Sequence, residues 1–162
     1  KIWNEQIRET KIFALAFFEA DKFSNQEIQN ILAKIETTEL AECAAMLLFN
    51  NKIFDENELL NWCKDSNNYV KLTAYNALIR RFKAEKSAKI QSGIFFESAE
   101  KDFKESLVIL KKCICFALLA FAEIDKKNRV EVENFIERLK ENNGEIYTFV
   151  ARHILDELRS IN

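Results

Sequence analysis

Apolar residues recur along the chain with a helical period, and three segments share one register. Within each segment the apolar positions are four residues apart, which places them on one face of an α-helix. The segments follow one another at a spacing of forty residues. The aligned positions are Val70, Ala74 and Leu78, then Leu110, Ile114 and Leu118, and then Val150, Ile154 and Leu158. This register predicts a structural repeat built from helices.

Polar residues between the apolar segments predict where helices begin. Ser24 followed by Glu27 is a capping-box sequence, in which two side chains satisfy the exposed amides of a helix start. Thr38 is predicted to cap the third helix, and Asp55 with Glu58 starts the fourth. Nine helices are predicted, with approximate bounds of 4–20, 24–35, 40–49, 55–64, 69–83, 87–95, 102–124, 130–141 and 145–159, the sixth ending around Ser98 and the seventh being interrupted near Leu107.

Helix pairs that repeat about every 40 residues are typical of HEAT-type α-solenoids, where stacked pairs cover apolar faces that one pair cannot bury alone. The chain of 162 residues contains no proline and two glycines, which favours continuous helices over tight turns. We therefore expect an all-α, HEAT-like solenoid of about nine antiparallel-paired helices, forming one domain over residues 1–162. The register is not evident before Ser66, so the first four helices should pair less regularly.

Several classes of protein are disfavoured by the sequence. No apolar run reaches the roughly 18 residues that a membrane span needs, and the first residues lack the layout of a signal peptide. The four cysteines (43, 63, 113 and 115) lie in predicted helices and resemble small buried hydrophobes of a reducing cytoplasm. His153 is the only histidine, so neither a metal site nor a Cys/His nucleophile is expected. No glycine-rich phosphate loop is present, and we expect no cofactor.

Basic residues recur with the repeat. Lys71 and Lys111 share one repeat position, and Lys112 and Arg152 share the next. Stacked repeats would align these residues into a basic stripe suited to a phosphate backbone, whereas ordinary solvated helix surfaces are the alternative explanation. A second group of bases runs from residue 80 to residue 89, either as a solvated helix end or as an anion-binding patch. The candidate nucleic-acid-binding residues are Lys71, Arg80, Arg81, Lys111, Lys112 and Arg152.

Acidic and aromatic residues offer weaker candidates. Glu39 and Glu42 are the only carboxylates beside the apolar run 41–49. Both suit a solvated first helical turn, where a negative charge interacts favourably with the helix dipole. A buried acid with a raised pKa is the functional alternative, and Glu42 is its candidate. Trp3 and Trp62 are expected to pack in or at the edge of the core, more than to form platforms for nucleic-acid bases.

Three stretches carry a resemblance to a known family. They are residues 2–4 leading into 9–15, residues 61–62 with 68–72, and residues 108–121. With these stretches the chain resembles the DNA alkylation repair (AlkD-like) family of HEAT-like-repeat DNA glycosylases, and the third stretch resembles that family most closely. The resemblance implies a concave basic cleft that holds double-stranded DNA by its backbone. It also implies that further helices precede the point where this chain begins.

Active members of that family use an Asp and two Trp residues near the damaged nucleotide, where the carboxylate stabilises the cationic sugar as the N-glycosidic bond breaks. The family's Trp and Asp fall on Leu40 and Ala44 of this chain, its later Trp on Phe116, and the Arg of the same motif on Leu119. Of an Arg pair in the helix matching residues 69–81, only Lys71 keeps a charge. Phe116 is therefore the candidate aromatic residue of the cleft.

Three functions are compatible with these observations. The first is a cytoplasmic HEAT-like-repeat protein that binds DNA backbone on a basic concave face and has lost its catalytic residues. The second is an active glycosylase of alkylated purines, in which a shift of one or two residues gives Glu42 the carboxylate role. The third is a protein-interaction scaffold that does not bind nucleic acid.

Overall fold

The structure is a computed structural model that describes residues 8–16, 24–51, 54–84, 90–105 and 107–160. These residues form helices and short connections, with no β-strand among them. The helices are α1 (Arg8–Ala16), α2 (Asn25–Leu32), α3 (Thr38–Asn51), α4 (Glu56–Trp62), α5 (Asn68–Ala84), α6 (Ser92–Glu105), α7 (Val108–Ala122), α8 (Lys126–Asn142) and α9 (Gly144–Ser160). The predicted all-α fold of HEAT-like helical repeats is confirmed.

The predicted register coincides with the core. All nine aligned positions are buried, and none exposes more than 4% of its surface. The three aligned positions of α7 begin at Leu110 and those of α9 begin at Val150, and these two helices pack against each other. Eight of the nine residues are Val, Leu or Ile, and burying each of these side chains contributes about 1.5–3 kcal/mol, so the repeated positions are a principal source of stability.

The chain divides into two compact units, Lys1–Ala77 and Leu78–Asn162. In the first unit α1 packs on α3. In the second unit α7 packs on α6, α8 and α9, and ten of its fifteen residues are buried. A helix that is apolar on most of its circumference needs neighbours on several sides, and α7 therefore forms the centre of this unit.

Aromatic rings fill the space around one end of α7. The Phe121 ring lies 5.4 Å from that of Phe82 and 5.6 Å from that of Phe95, measured between centroids. Phe96 on α6 stacks on Phe135 of α8 at 4.9 Å. Offset and edge-on arrangements of this kind add stability beyond the area that the rings bury.

The helix starts agree with the sequence in two places and differ in a third. Ser24 with Glu27 and Asp55 with Glu58 form reciprocal capping boxes. The hydrogen bonds from Ser24 lower the pKa of the exposed Glu27 carboxyl. The predicted cap of α3 was wrong by one residue, because the hydroxyl oxygen of Thr37 accepts from the Leu40 amide at 3.2 Å. Thr38 is the first residue of the helix instead.

The bounds of α6 differ most from the prediction. The predicted helix stopped near Ser98, but Ser98 is buried within α6, between Phe95 and Phe103 on the core side. The helix therefore continues to Glu105, and Asp102, which the sequence predicts as the first residue of the next helix, lies inside it. The interruption predicted near Leu107 is the start of α7. The prediction of a helix over 4–20 extends beyond α1 into residues outside those described.

Candidate functional site

Two exposed bases occupy the same position of neighbouring repeats in the second unit. Lys112 on α7 and Arg152 on α9 each lie two residues after the first buried anchor of their helix. Two residues correspond to about 200° around a helix, so a side chain at this position points away from the core. Neither base forms an ion pair within the part of the chain that the structure describes. Both are therefore available to an anionic ligand.

The other predicted base of α7 has a different setting. Lys111 is half-buried and lines a pocket of about 340 Å³. The pocket lies between α6, α7 and the turn that leads into α9. Lys104 and Glu145 also line it, and Lys104 is paired with Glu100 at 3.1 Å. Lys111 therefore points into a concave feature next to the exposed face that carries Lys112.

The sequence predicts that the basic stripe includes the repeat position on α5, but the structure does not expose a base there. Lys71 is only 7% exposed, and all five residues from Val70 to Tyr75 that surround it in sequence are buried as well. The prediction assumed that every repeat leaves the same face open, whereas α5 is covered around its circumference at this level. Burial keeps Lys71 from contact with a phosphate backbone. Of the bases at the end of α5, Arg80 is exposed and Arg81 is half-buried.

Phe116 lies one helical turn after Lys112 and exposes 54% of its surface. Most large aromatic side chains of the described core are almost fully buried, so this ring stands out. Leu119, three residues later, is buried. The exposed side of α7 thus carries a base and an aromatic ring close together.

The two positions that the sequence resemblance would assign to a Trp and an Asp lie in the core of the first unit. Leu40 and Ala44 on α3 are each 2% exposed. Glu42, between them in sequence, is exposed to solvent. A carboxylate that stabilises a cationic transition state has to face the reacting centre from a shielded position, and α3 presents none at these three residues.

Cysteine and histidine side chains have structural roles. Cys63, Cys113 and Cys115 are buried as predicted, whereas Cys43 is only half-buried. Burial raises the pKa of the Cys115 thiol to about 12. His153 stacks on Phe149, with Nδ1 2.7 Å from the Phe149 carbonyl oxygen. No group of three or more potential metal ligands occurs among the described residues.

One concave feature was missed by the sequence analysis. A pocket of about 490 Å³ in the first unit is lined by side chains of α2, α4 and the segments beside them, including Gln29, Asn61 and Trp62. Trp62 packs on Phe54 at 4.4 Å and is 7% exposed, which confirms its predicted packing role. The lining residues come from separate elements without a shared motif, so no local pattern indicates the pocket.

Comparison with known proteins gives no relative from which a function could be transferred. No known protein family, curated protein or solved structure matches the chain. None of the helices that the structure describes is long and apolar enough to cross a membrane.

Proposed function

We propose that this protein is a HEAT-like-repeat module that binds the backbone of double-stranded DNA through the second unit. The observation that carries the proposal is the exposure of Lys112 and Arg152 at one repeat position of two packed helices. A regular array of bases suits the regular array of phosphates along a duplex. Lys111, half-buried beside Lys112, is the third contact of this face, and Arg80 is a further exposed base of the same unit.

The charge distribution supports the second unit as the DNA-binding part. Residues 78–162 contain 16 basic and 14 acidic residues, for a net formal charge of +2. Residues 1–77 contain 8 basic and 12 acidic residues, for a net charge of −4. A polyanion such as DNA is attracted to the net positive second unit and repelled by the net negative first unit. The charge distribution therefore favours DNA binding to the second unit.

The site supports DNA binding without glycosylase activity. Leu40 and Ala44 are apolar and buried, and neither can supply the charge that N-glycosidic bond cleavage requires. Phe116 keeps an aromatic ring at the later family position but offers no hydrogen-bond donor. HEAT-like scaffolds carry many functions, so loss of the chemistry is compatible with a retained binding role.

The test is the salt dependence of DNA binding by a double variant. Lys112→Ala with Arg152→Ala should weaken binding to a fluorescein-labelled duplex in an anisotropy titration. It should also reduce the slope of log K against log salt by about 2, because each phosphate contact contributes about 0.9 to that slope. The control, Lys127→Ala with Lys140→Ala, removes the same charge from α8, at two lysines that pair with Glu131 and Glu137 of that helix. Equal effects of the two double variants, or no effect of the first, would contradict the proposal.

A further inference from the structure

Exposed hydrophobic residues are concentrated at the start of α7. Six large hydrophobic side chains of the described residues are well exposed, and four of them lie between Leu107 and Phe116. Val108 exposes 61% of its surface and Ile109 exposes 44%. Scattered exposed hydrophobics need no explanation, but a group on one helix marks a surface that a partner covers.

These residues form one face of the helix. At 100° per residue, Val108, Ile109, Lys112 and Phe116 fall within about 100° of the circumference. We call this face the α7 strip. Its members Ile109, Lys112 and Phe116 are spaced by three and then four residues, which is the spacing of a seam where two helices pack. The next seam position, Leu119, is already buried, so the open part of the strip is about two turns long.

We propose that the α7 strip is the docking site of an acidic amphipathic helix from a partner protein. Residues 106–122 contain no acidic side chain and two lysines, Lys111 and Lys112. Lys112 lies within the apolar strip instead of at its edge. A partner helix therefore needs apolar residues opposite Ile109 and Phe116 and a carboxylate opposite Lys112.

A second copy of this chain fits the strip less well. Lys112 lies near the midpoint between Ile109 and Phe116, so an antiparallel pair of α7 helices would bring the two Lys112 side chains together. Like charges in a desolvated seam are unfavourable. An acidic helix instead gains an ion pair at the same place, and charge complementarity decides between the two occupants.

This proposal goes beyond DNA binding because it depends on different side chains. A phosphate backbone gives Val108, Ile109 and Phe116 no apolar surface to bury against, whereas a helix does. The two ligands share Lys112 only. An acidic helix on the strip would consequently compete with DNA for that lysine.

Synthetic peptides test the proposal directly. The probe is a labelled helical peptide of three heptads with leucine at the seam positions and glutamate beside them, compared with the same peptide carrying lysine in place of glutamate. The glutamate peptide should bind the full chain at least about tenfold more tightly than the lysine peptide in an anisotropy titration. Lys112→Glu should shift the preference toward the lysine peptide, which a general loss of structure would not do.

Two substitutions of exposed hydrophobics separate the strip from the rest of the surface. Phe116→Glu should weaken binding of the glutamate peptide at least about tenfold. Val130→Glu, at an exposed hydrophobic residue of α8, is the matched control and should leave it unchanged. Circular dichroism melting of both variants checks that they fold, and Phe116→Gln provides a milder substitution at the same position.

Four results would overturn the proposal. The first is equal affinity for the two peptides, and the second is an equal loss in Phe116→Glu and Val130→Glu. The third is a wild-type dimer in sedimentation that Phe116→Glu dissociates, because a second copy then covers the strip. The fourth is a loss of duplex DNA binding in Phe116→Glu without any peptide binding to the wild type, which would assign the strip to the nucleic-acid face.

Discussion

The ring of Phe96 on α6 lies nearly parallel to that of Phe135 on α8, with centroids 4.9 Å apart and an angle of 17° between the planes. Phe135 is 2% exposed. The pair joins two helices that flank α7 and that are separated in sequence by the whole of it. The contribution of this ring pair to the stability of the second unit can be measured by substitution.

Phe135→Ala should lower the free energy of unfolding by about 3–5 kcal/mol, because it removes a buried ring and leaves a cavity in a packed core. Urea unfolding followed by circular dichroism measures the change. The control is Phe116→Ala on the exposed side of α7, which should remain within about 0.5 kcal/mol of wild type. Similar losses in both variants would contradict the placement of the two rings.

The cap of α3 gives a prediction that distinguishes neighbouring threonines. Thr37→Ala removes the hydroxyl oxygen that accepts from the Leu40 amide and should cost about 1 kcal/mol of stability. Thr38→Ala changes a residue inside the helix and should cost much less. Urea unfolding of the two variants side by side decides which threonine is the cap. A larger loss in Thr38→Ala would reverse the assignment.

Cys115 makes stability depend on alkaline pH. Burial raises its pKa from an ordinary value of 9.0 to about 12 in the folded protein. As the pH rises, the thiol of the unfolded chain loses its proton before that of the folded protein. The contribution of the buried thiol to the free energy of unfolding is therefore complete below pH 9 and is lost as the pH rises toward 12. Between pH 8 and pH 10 the wild type should lose about 1 kcal/mol more stability than Cys115→Ala, measured by urea unfolding at each pH. Parallel losses would show that the thiol titrates normally.

A release assay for alkylated bases tests the enzymatic alternative. Wild-type protein incubated with methylated DNA should release no alkylpurine above the uncatalysed rate, because Leu40 and Ala44 cannot supply a catalytic charge. Glu42→Gln should behave like the wild type, since Glu42 is exposed on α3. Release by the wild type that Glu42→Gln abolishes would restore the glycosylase interpretation and assign the carboxylate role to Glu42.

The repeat register was predictable because it depends on burial alone. Val150 and Ile154, like the other aligned residues, are buried, as their helical spacing indicates. Helix bounds were less predictable where a polar residue is buried. Ser98 resembles a helix end in sequence but lies inside α6, because the packing of Phe95 and Phe103 carries the helix past it.

The candidate site was predictable only in part. Sequence places Lys71 and Lys111 at one repeat position, yet the first is buried and the second lines a pocket. The difference comes from what covers each helix, and the register of one helix contains no information about its neighbours. The apolar pattern also does not predict the exposure of Phe116, because it assigns a phenylalanine in an apolar segment to the core.

The position of α7 also has a consequence for synthesis of the chain. Ten of its fifteen residues are buried, and two of its packing partners, α8 and α9, follow it in the sequence. While the protein is being made, the apolar surface that these partners cover remains open until both have left the ribosome. Exposed apolar surface of this kind favours aggregation, so the interval between the emergence of α7 and that of α9 is the vulnerable period of folding.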